Sequence, residues 1–419
     1  TLDFGLESRK ETRGWEKVAA VGEKEHWRVS QEDLRLAPHN LLGQGRQGVV
    51  IAGSLHDLPV AVKVPHQNTK HQLEFNADLF SELNVLRRVR HPNIAMLHGA
   101  VVDPATYELA LVLEFVSGPS FEDFVKGGVD GPFAQGASEF DLGAALWGIC
   151  RALRYLHSQR PAIVHGDLKP SNVRIGFSGL SVQTKLLDFG LSRILSKHGG
   201  NPLGGSPMWM APELLTLDSA PPEPSATADI FSFGRLLQFA ANRRGPFEGD
   251  NIGSILRRLV NKDIEADMCP ENPSSVIAGF CELGSVCMRL QPETRPDMAE
   301  VANRLRILRV VSGERPGESG GSAPGAPASG SGSSSFDTCM DGPQNLELFL
   351  PWSEAIGLLR KRRRGERSRA AARSFTGSTR LAASLGRPHA SPTPAAPSAP
   401  HAFVARSARQ GGGRALADA

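Results

Sequence analysis

The sequence predicts an α+β fold with two lobes, a small β-rich N-lobe and a larger, mainly helical C-lobe. Two observations support this prediction: residues 42–64 alternate short apolar runs with glycine clusters, and the apolar positions over 142–156 recur at helical spacing. The predicted order is strands, one helix, strands and then mostly helices. The crevice between the lobes is therefore the expected binding site.

The predicted elements follow from the spacing of apolar residues. Hairpin-connected strands are expected at Leu42, 49–53 and 60–64. Charged residues separate the apolar positions of a predicted helix over 75–90, which are Leu79, Leu83, Leu86 and Val89. A further strand is expected over 109–116, because this apolar run ends at a turn-forming S-G-P sequence. Steps of four and three residues predict a second amphipathic helix through Leu142, Leu146, Ile149, Leu153 and Leu156.

Composition excludes several classes of protein. The 419 residues are 40% hydrophobic, which rules out collagen, coiled-coil and small disulfide-scaffold proteins. Five cysteines without metal-like spacing indicate reduced thiols inside a cell and argue against structural zinc. The longest apolar run, 109–116, is interrupted by Glu114 and is shorter than the ~20 residues of a membrane span, so no transmembrane segment is expected. The chain begins at Thr1 rather than Met, which leaves its targeting open.

Composition also predicts the domain organisation. Residues from Arg360 onward contain 13 basic and 2 acidic residues, a charge of +11 against −8 for the rest of the chain. Residues 312–335 are almost entirely Gly, Ser, Pro and Ala, which is typical of a linker. The predicted units are an N-terminal extension (1–26), one folded domain (27–309, with lobes over about 27–116 and 117–309), a linker (310–340), and a basic, low-complexity and mostly disordered tail (341–419).

A glycine-rich motif, G-Q-G-R-Q-G-V-V, occupies residues 43–50. Glycines allow the backbone to approach a polyphosphate closely, although such a hairpin can also be a simple turn. A dinucleotide site would need a helix after the loop, whereas here a strand continues through 49–51. Lys63 follows within an apolar strand, where its charge needs a partner, and Glu82 on the next helix is the nearest candidate.

Two further motifs carry acidic and amide side chains at loop positions. They are V-H-G-D-L-K-P-S-N over 164–172 and L-L-D-F-G over 186–190. Phosphoryl transfer from MgATP needs a carboxylate that accepts the hydroxyl proton, an acid and an amide that hold magnesium, and cations on the phosphates. Asp167, Asp188, Asn172 and Lys169 supply these groups in that order.

Together with M-A-P-E at 210–213, these motifs occur in the order and at the spacings of the eukaryotic protein kinase family, which the sequence resembles over about 27–309. The resemblance implies a bilobal protein-kinase-like fold, with ATP and Mg²⁺ as cofactors. It implies catalytic roles for Asp167, Lys169, Asn172, Lys63 and Glu82, and magnesium ligation by Asn172 and Asp188. The ATP-binding residues implied by the resemblance are Leu42, Gly43, Gln44, Gly45, Gly48, Val50, Ala61, Lys63, Leu113, Glu114, Val116 and Asp188.

The same resemblance implies structural contacts. Leu86, Leu97, His165 and Phe189 would stack between the lobes above Asp229, although ordinary core packing explains these apolar residues equally well. Glu213 would form a buried pair with Arg295.

Sequence details favour the tyrosine-kinase-like group, with Raf, mixed-lineage and plant receptor-like relatives. W-R-V-S at 27–30 and W-M-A-P-E at 209–213 resemble that group, whose members mostly phosphorylate Ser and Thr. Lys169 and Pro170 match the serine/threonine pattern. We therefore expect a protein Ser/Thr kinase of intracellular signal transduction, with tyrosine or dual specificity as the alternative.

Two residues depart from the family pattern. Gly166 replaces an arginine that normally grips an activation-loop phosphate, so activity is not expected to depend strictly on phosphorylation of Ser192, Ser196 or Ser206. Arg174 replaces an aliphatic residue under the adenine ring, and its stem can still cover that ring. These departures leave a second hypothesis open: a pseudokinase scaffold that binds nucleotide or partners without turnover.

The tail carries a basic run, Arg360–Arg364, typical of nuclear-import signals or of patches for nucleic acid or anionic lipid, with a solvated cluster as the alternative. Apolar residues over 346–359 predict an amphipathic segment for calmodulin, a membrane face or the kinase domain itself, although Pro351 interrupts the pattern. Few aromatics surround the basic run, so nucleic acid is not the expected primary partner. The expected location is cytoplasmic, with the nucleus as the alternative.

Overall fold

The computed structural model describes residues 4–45, 48–65, 72–127, 136–178, 181–194, 206–215, 225–261, 269–311 and 349–361. These residues form a β-sheet lobe and a helical lobe, which confirms the predicted bilobal fold. The N-lobe contains α1 (Phe4–Lys24), β1 (Leu34–Gln44), β2 (Gly48–Leu55), β3 (Leu58–Pro65), α2 (Gln72–Leu86), β4 (Leu97–Asp103) and β5 (Glu108–Glu114).

The C-lobe is mainly helical. Its elements are α3 (Phe121–Lys126), α4 (Glu139–His157), β6 (Ile163–Val164), β7 (Val173–Ser178), β8 (Ser181–Leu186), β9 (Arg193–Ile194), α5 (Ala226–Asn242), α6 (Ile252–Val260), α7 (Ser275–Cys287) and α8 (Met298–Val311). The chain then adds β10 (Leu350–Pro351) and a helix over 352–361, α9. Strand β6 pairs with β9, and β7 pairs with β8.

The N-lobe sheet is antiparallel, with strand order β10-β1-β2-β3-β5-β4. The turn between β2 and β3 consists of His56 and Asp57, whose positive φ angles of 47° and 64° suit a two-residue hairpin. Alternation along the strands gives the sheet two different faces. In β3, Val60 and Val62 lie in the apolar cluster on one face, whereas Lys63 lines the cleft on the other.

Local sequence signals explain the helix boundaries. Ser120, Ser138 and Ser274 each accept a hydrogen bond from a backbone N–H in the first turn, of α3, α4 and α7 respectively. Helix α2 ends at Leu86, earlier than the predicted Arg90, and the Arg90 guanidinium donates to the carbonyl oxygens of Leu86 and Val89. Helix α5 is buried almost throughout and lies at the centre of the C-lobe.

The predicted N-terminal extension contains α1, which packs on the N-lobe. The Trp15 side chain is buried, and its ring centroid lies 5.0 Å from that of Phe80 on α2 and 6.1 Å from that of Tyr107. Helix α1 therefore lies against the helix that carries Glu82.

The predicted tail also contains regular structure. Residues 349–361 form β10 and α9, which pack on the sheet face opposite α2. The rest of the predicted tail, and the predicted linker from residue 312, lie outside the described residues. In the described part of the chain, Cys150, Cys269, Cys281 and Cys287 are free thiols, and none of its helices is long and apolar enough to cross a membrane.

Candidate active site

A cavity of about 850 Å³ lies between the sheet of the N-lobe and the loops of the C-lobe. Its wall contains every residue for which a catalytic or nucleotide-binding role is predicted: Leu42, Gly43, Gln44, Gly45, Gly48, Val50, Ala61, Lys63, Glu82, Leu113, Glu114, Val116, Asp167, Lys169, Asn172 and Asp188. The fold therefore brings together residues from the glycine-rich hairpin, β3, α2, the end of β5 and two C-lobe loops.

Lys63 is the centre of an ion-pair cluster on the N-lobe side. Its Nζ lies 2.7 Å from Glu82 Oε2 and 2.7 Å from Asp188 Oδ1. The Lys63 and Glu82 side chains are almost fully buried, whereas the Asp188 side chain is 41% exposed. Asp188 has a left-handed φ of 58°, a strained conformation for a residue other than glycine. Its carboxylate thus reaches Lys63 and also borders the cavity.

Lys63 and Asp188 stabilise each other's charged forms, whereas burial raises the pKa of Glu82 above its ordinary value. Burial alone would lower the pKa of Lys63, but the carboxylates of Glu82 and Asp188 raise it above its ordinary value. Burial would raise the pKa of Asp188, but the Lys63 ammonium group lowers it below its ordinary value. Lys63 and Asp188 are therefore both ionised at neutral pH, and they present a fixed positive charge and a carboxylate to the cavity.

A second polar cluster forms on the C-lobe side around Asp167. Lys169 Nζ donates to Asp167 Oδ2 at 2.7 Å, and Asn172 Nδ2 donates to the same oxygen at 3.0 Å and to the Asp167 carbonyl at 2.8 Å. Ser206 also belongs to this cluster. Its Oγ accepts from Lys169 Nζ at 3.0 Å, and its N–H donates to Asp167 Oδ1 at 3.4 Å.

Asp229, a buried carboxylate, supports the loop over 165–169, which carries Asp167 and Lys169. It accepts hydrogen bonds from the backbone N–H groups of His165 at 2.8 Å and Gly166 at 2.9 Å, and lies 2.9 Å from His157 Nε2. Burial would raise the pKa of Asp229, but His157 and these hydrogen bonds lower it. Gly166 has a left-handed φ of 79°, so a side chain at this position would be strained.

Two structural contacts implied by the sequence are present. The rings of His165 and Phe189 meet edge to face with centroids 5.0 Å apart, and Phe189 lies in the same buried cluster as Leu86 and Leu97. The Arg295 guanidinium donates to the two carboxylate oxygens of Glu213 at 2.6 Å and 2.8 Å.

The comparison with family models matches residues 36–305 to the protein kinase domain. The chain belongs to the protein kinase family. This confirms the resemblance inferred from the motifs. The predicted boundaries of the domain, 27–309, remain a prediction.

Relatives of this kinase domain include proteins that are named as serine/threonine-protein kinases. Over 286 residues the chain is 29% identical to a putative serine/threonine-protein kinase/receptor, R818, of Acanthamoeba polyphaga mimivirus (67% of this chain, 16% of that protein). It is 30% identical over 271 residues to serine/threonine-protein kinase CTR1 of Arabidopsis thaliana (64% and 31%). It is 29% identical over 280 residues to mitogen-activated protein kinase kinase kinase 7 of Bos taurus (65% and 44%). These relatives agree with the predicted tyrosine-kinase-like group, and the chain spans less than half the length of each.

The structure also places Arg174, which departs from the family pattern, and two of the three serines named with Gly166. Arg174 lines the cavity, and its Nη1 donates to the carbonyl of Gly118 at 3.1 Å. Ser192, one of the serines considered above as phosphorylation sites, is buried. Its hydroxyl donates to the His165 carbonyl at 2.9 Å. Ser196 lies outside the described residues.

Sequence reasoning missed two features of the site. The Glu114 carboxylate at the end of β5 pairs with Lys185 at 2.7 Å and accepts a hydrogen bond from the Met96 N–H at 3.0 Å. Ser206 was predicted only as a possible modification site, whereas its hydroxyl contacts the Lys169 ammonium group. Both contacts join residues distant in sequence, and the only available signal was the position of Ser206 shortly before the M-A-P-E motif.

Proposed function

We propose that this protein transfers the γ-phosphoryl group of MgATP to Ser and Thr hydroxyls of protein substrates. The observation that carries the proposal is the pair of polar clusters on opposite sides of one cavity. Lys63, Glu82 and Asp188 form the first, and Asp167 with Lys169 belongs to the second. Phosphoryl transfer needs fixed cations at the phosphates and a carboxylate at the attacking hydroxyl, and the two clusters supply these groups.

The nucleotide side of the proposal rests on the N-lobe. Lys63 pairs with Glu82, and its raised pKa keeps it protonated. Its ammonium group contacts the α- and β-phosphates, while the glycine-rich hairpin covers them. Three apolar residues of the N-lobe strands, Val50, Ala61 and Leu113, also line the cavity and provide a surface for the adenine ring.

The donor set suits magnesium. A carboxylate oxygen of Asp188 and the amide oxygen of Asn172 are hard oxygen ligands, and two protein ligands are typical for Mg²⁺ in phosphoryl-transfer sites. Asn172 uses its amide nitrogen to donate to Asp167, so its amide oxygen remains for the metal. When bound, magnesium neutralises charge on the phosphates.

The acceptor side rests on the C-lobe. Asp167 receives the proton of the attacking hydroxyl, and Lys169 neutralises charge on the transferred phosphoryl group. The position of Ser206 supports an aliphatic hydroxyl as acceptor, because such a group fits within hydrogen-bond distance of Lys169. Protein substrates follow from the family, and a role in intracellular signal transduction is part of the proposal.

The test is transfer of radiolabelled phosphate from ATP by the full chain, with magnesium and a generic basic protein acceptor. Lys63→Met and Asp167→Ala serve as inactive controls. We expect label on Ser or Thr that both substitutions abolish. Label on Tyr would overturn the specificity. Binding of ATP without transfer, unchanged by Asp167→Ala, would support the scaffold hypothesis. Arg174, which replaces an aliphatic residue of the family pattern and donates to the Gly118 carbonyl, is the structural feature that favours this hypothesis.

A further inference from the structure

The outer face of the N-lobe sheet, defined as the face opposite α2, is covered by residues that lie outside the kinase family match. The match ends at residue 305, whereas the covering segment is 349–361, here named the docking segment. The apolar side chains of this face come from all five strands β1 to β5: Leu34, Leu36, Val49, Ile51, Val60, Val62, Val101, Ala110 and Val112. Without a covering element they would form one continuous apolar surface.

The docking segment contacts this face in three ways. Strand β10 extends the sheet, with Leu350 opposite Leu36 and Pro351 opposite Arg35. Helix α9 inserts three buried side chains into the apolar cluster, Trp352, Ala355 and Ile356. At the far end of α9, the Arg360 guanidinium forms an ion pair with Glu108 at the start of β5. Strand addition followed by an amphipathic helix is a recurrent mode of peptide recognition.

The covered face is the back of the nucleotide-binding strands. Val62 in the outer cluster is the immediate neighbour of Lys63, and Ile51 is the neighbour of Val50, which lines the cavity. Phe349 makes a more direct connection. It packs in a small cluster with Ala37, Ala52 and Leu42, and Leu42 itself lines the cavity.

We propose that the docking segment binds the outer face in cis and thereby sets the nucleotide affinity of the kinase domain. Bound, it fixes β1 to β3 and supports Leu42 from behind. Released, it leaves these strands with an exposed apolar face and a less restricted Leu42. In the sequence, residues 312–335, whose composition is typical of a linker, separate the segment from α8. The proposal rests on the cavity being a nucleotide site, as proposed above.

Two residues of α9 provide a matched pair for the test. Ile356 is 4% exposed in the outer cluster, whereas Leu358 on the same helix is 37% exposed. Ile356→Asp places a charge in the apolar cluster, and Leu358→Asp places the same charge in solvent. Both are made in the full chain. Docking is measured by hydrogen exchange of the β1 amides and nucleotide affinity by titration with ATP, so neither measurement requires phosphoryl transfer.

We expect Ile356→Asp to lose protection in β1 and to weaken ATP binding about tenfold, whereas Leu358→Asp stays within about twofold of the parent chain. A synthetic peptide of residues 345–361, added to the Ile356→Asp chain, should restore the affinity, and the same peptide with Asp at 356 should not. Lost protection with unchanged ATP affinity would overturn the coupling. Unchanged protection would overturn the docking itself.

A second test changes only the ion pair at the end of α9, so that the result does not depend on the folding of the Ile356→Asp variant. Arg360→Glu opposes Glu108, and Arg360→Glu combined with Glu108→Arg restores the pair in reverse. Weaker ATP binding in the single variant and recovery in the double variant support the proposal, and equal affinity in all three chains contradicts it.

If the affinity for ATP rises with protein concentration and light scattering shows dimers, the segment binds a second copy of the chain, which contradicts docking in cis. If the parent chain binds no ATP while β1 is protected, the proposed function fails and the docking stands.

Discussion

Two buried ion pairs of this kinase domain look alike and differ in what surrounds them. Lys63 pairs with Glu82 in the N-lobe, and Arg295 pairs with Glu213 in the C-lobe. Arg295 also donates to the carbonyl oxygens of Arg289 and Thr227, so protein groups surround it. Lys63 instead borders the cavity together with Asp188. Burial of a charge pair is thus no sign of catalysis by itself. The Lys63–Glu82 pair differs from the Arg295–Glu213 pair because one side of it faces the cavity.

The largest effect on activity is expected for Lys63→Met. The substitution removes the cation from the cavity, and we expect phosphoryl transfer to fall at least about 10³-fold. Glu82, left without its cation, is expected to take up a proton, so the chain should stay folded. Kinetics measured beside thermal unfolding would check this. A chain that unfolds at 25 °C would show that the pair is mainly structural.

Glu213→Ala should have the opposite profile. It leaves the Arg295 guanidinium buried without its carboxylate, and we expect a loss of about 3 kcal/mol in the free energy of unfolding. Urea denaturation measures this loss. Glu300→Ala, which removes a half-exposed helix pair with Arg304, is the control and should cost about 0.5 kcal/mol or less. A similar loss in both variants would refute the distinction.

Asp229 lies between these two cases, because its carboxylate is buried but supports the loop over 165–169 that carries Asp167. Its pKa is below the ordinary 3.8, so the unfolded chain takes up the proton first as the pH falls. Its contribution is therefore present above pH 3.8 and lost as the pH falls through the lowered folded-state pKa. We expect Asp229→Asn to reduce the pH dependence of the unfolding free energy between roughly pH 5 and pH 3. Identical slopes in parent and variant would contradict the prediction.

Arg174→Leu tests a residue whose charge is at the edge of the cavity. The aliphatic stem of Arg174 already covers the position that leucine would fill, while its guanidinium donates to the Gly118 carbonyl. We expect the KM for ATP to change by about threefold or less. A change above about tenfold would show that the guanidinium itself contacts the nucleotide.

The smallest expected effect is that of a phosphatase. Gly166 offers no side-chain cation for an activation-segment phosphate, and the Ser192 hydroxyl is buried against the His165 carbonyl. Phosphatase-treated and untreated chains should therefore transfer phosphate at equal rates. Loss of activity on treatment, with recovery after incubation with ATP, would sink this prediction.

Local patterns predicted the lobes, the glycine-rich hairpin and the Lys63–Glu82 pair, because each depends on spacing along one or two elements. The contact of Lys185 with Glu114 and the position of Ser206 could not be predicted, since they join distant loops. The tail segment was predicted as amphipathic with three candidate partners. Pro351 interrupts that pattern because it is the last residue of β10, and α9 begins at the following residue. A proline directly before a helix does not disturb the helix.

The covering of the N-lobe from both sides has a practical consequence. A polypeptide cut to the family match, 36–305, would lack Trp15 on the α2 side and Trp352 with Ile356 on the outer face. Two apolar surfaces would then meet water, and β1, shortened to begin at Leu36, would become an edge strand without β10 beside it. Such a fragment is expected to aggregate in solution, so recombinant work on this kinase should retain both flanking segments.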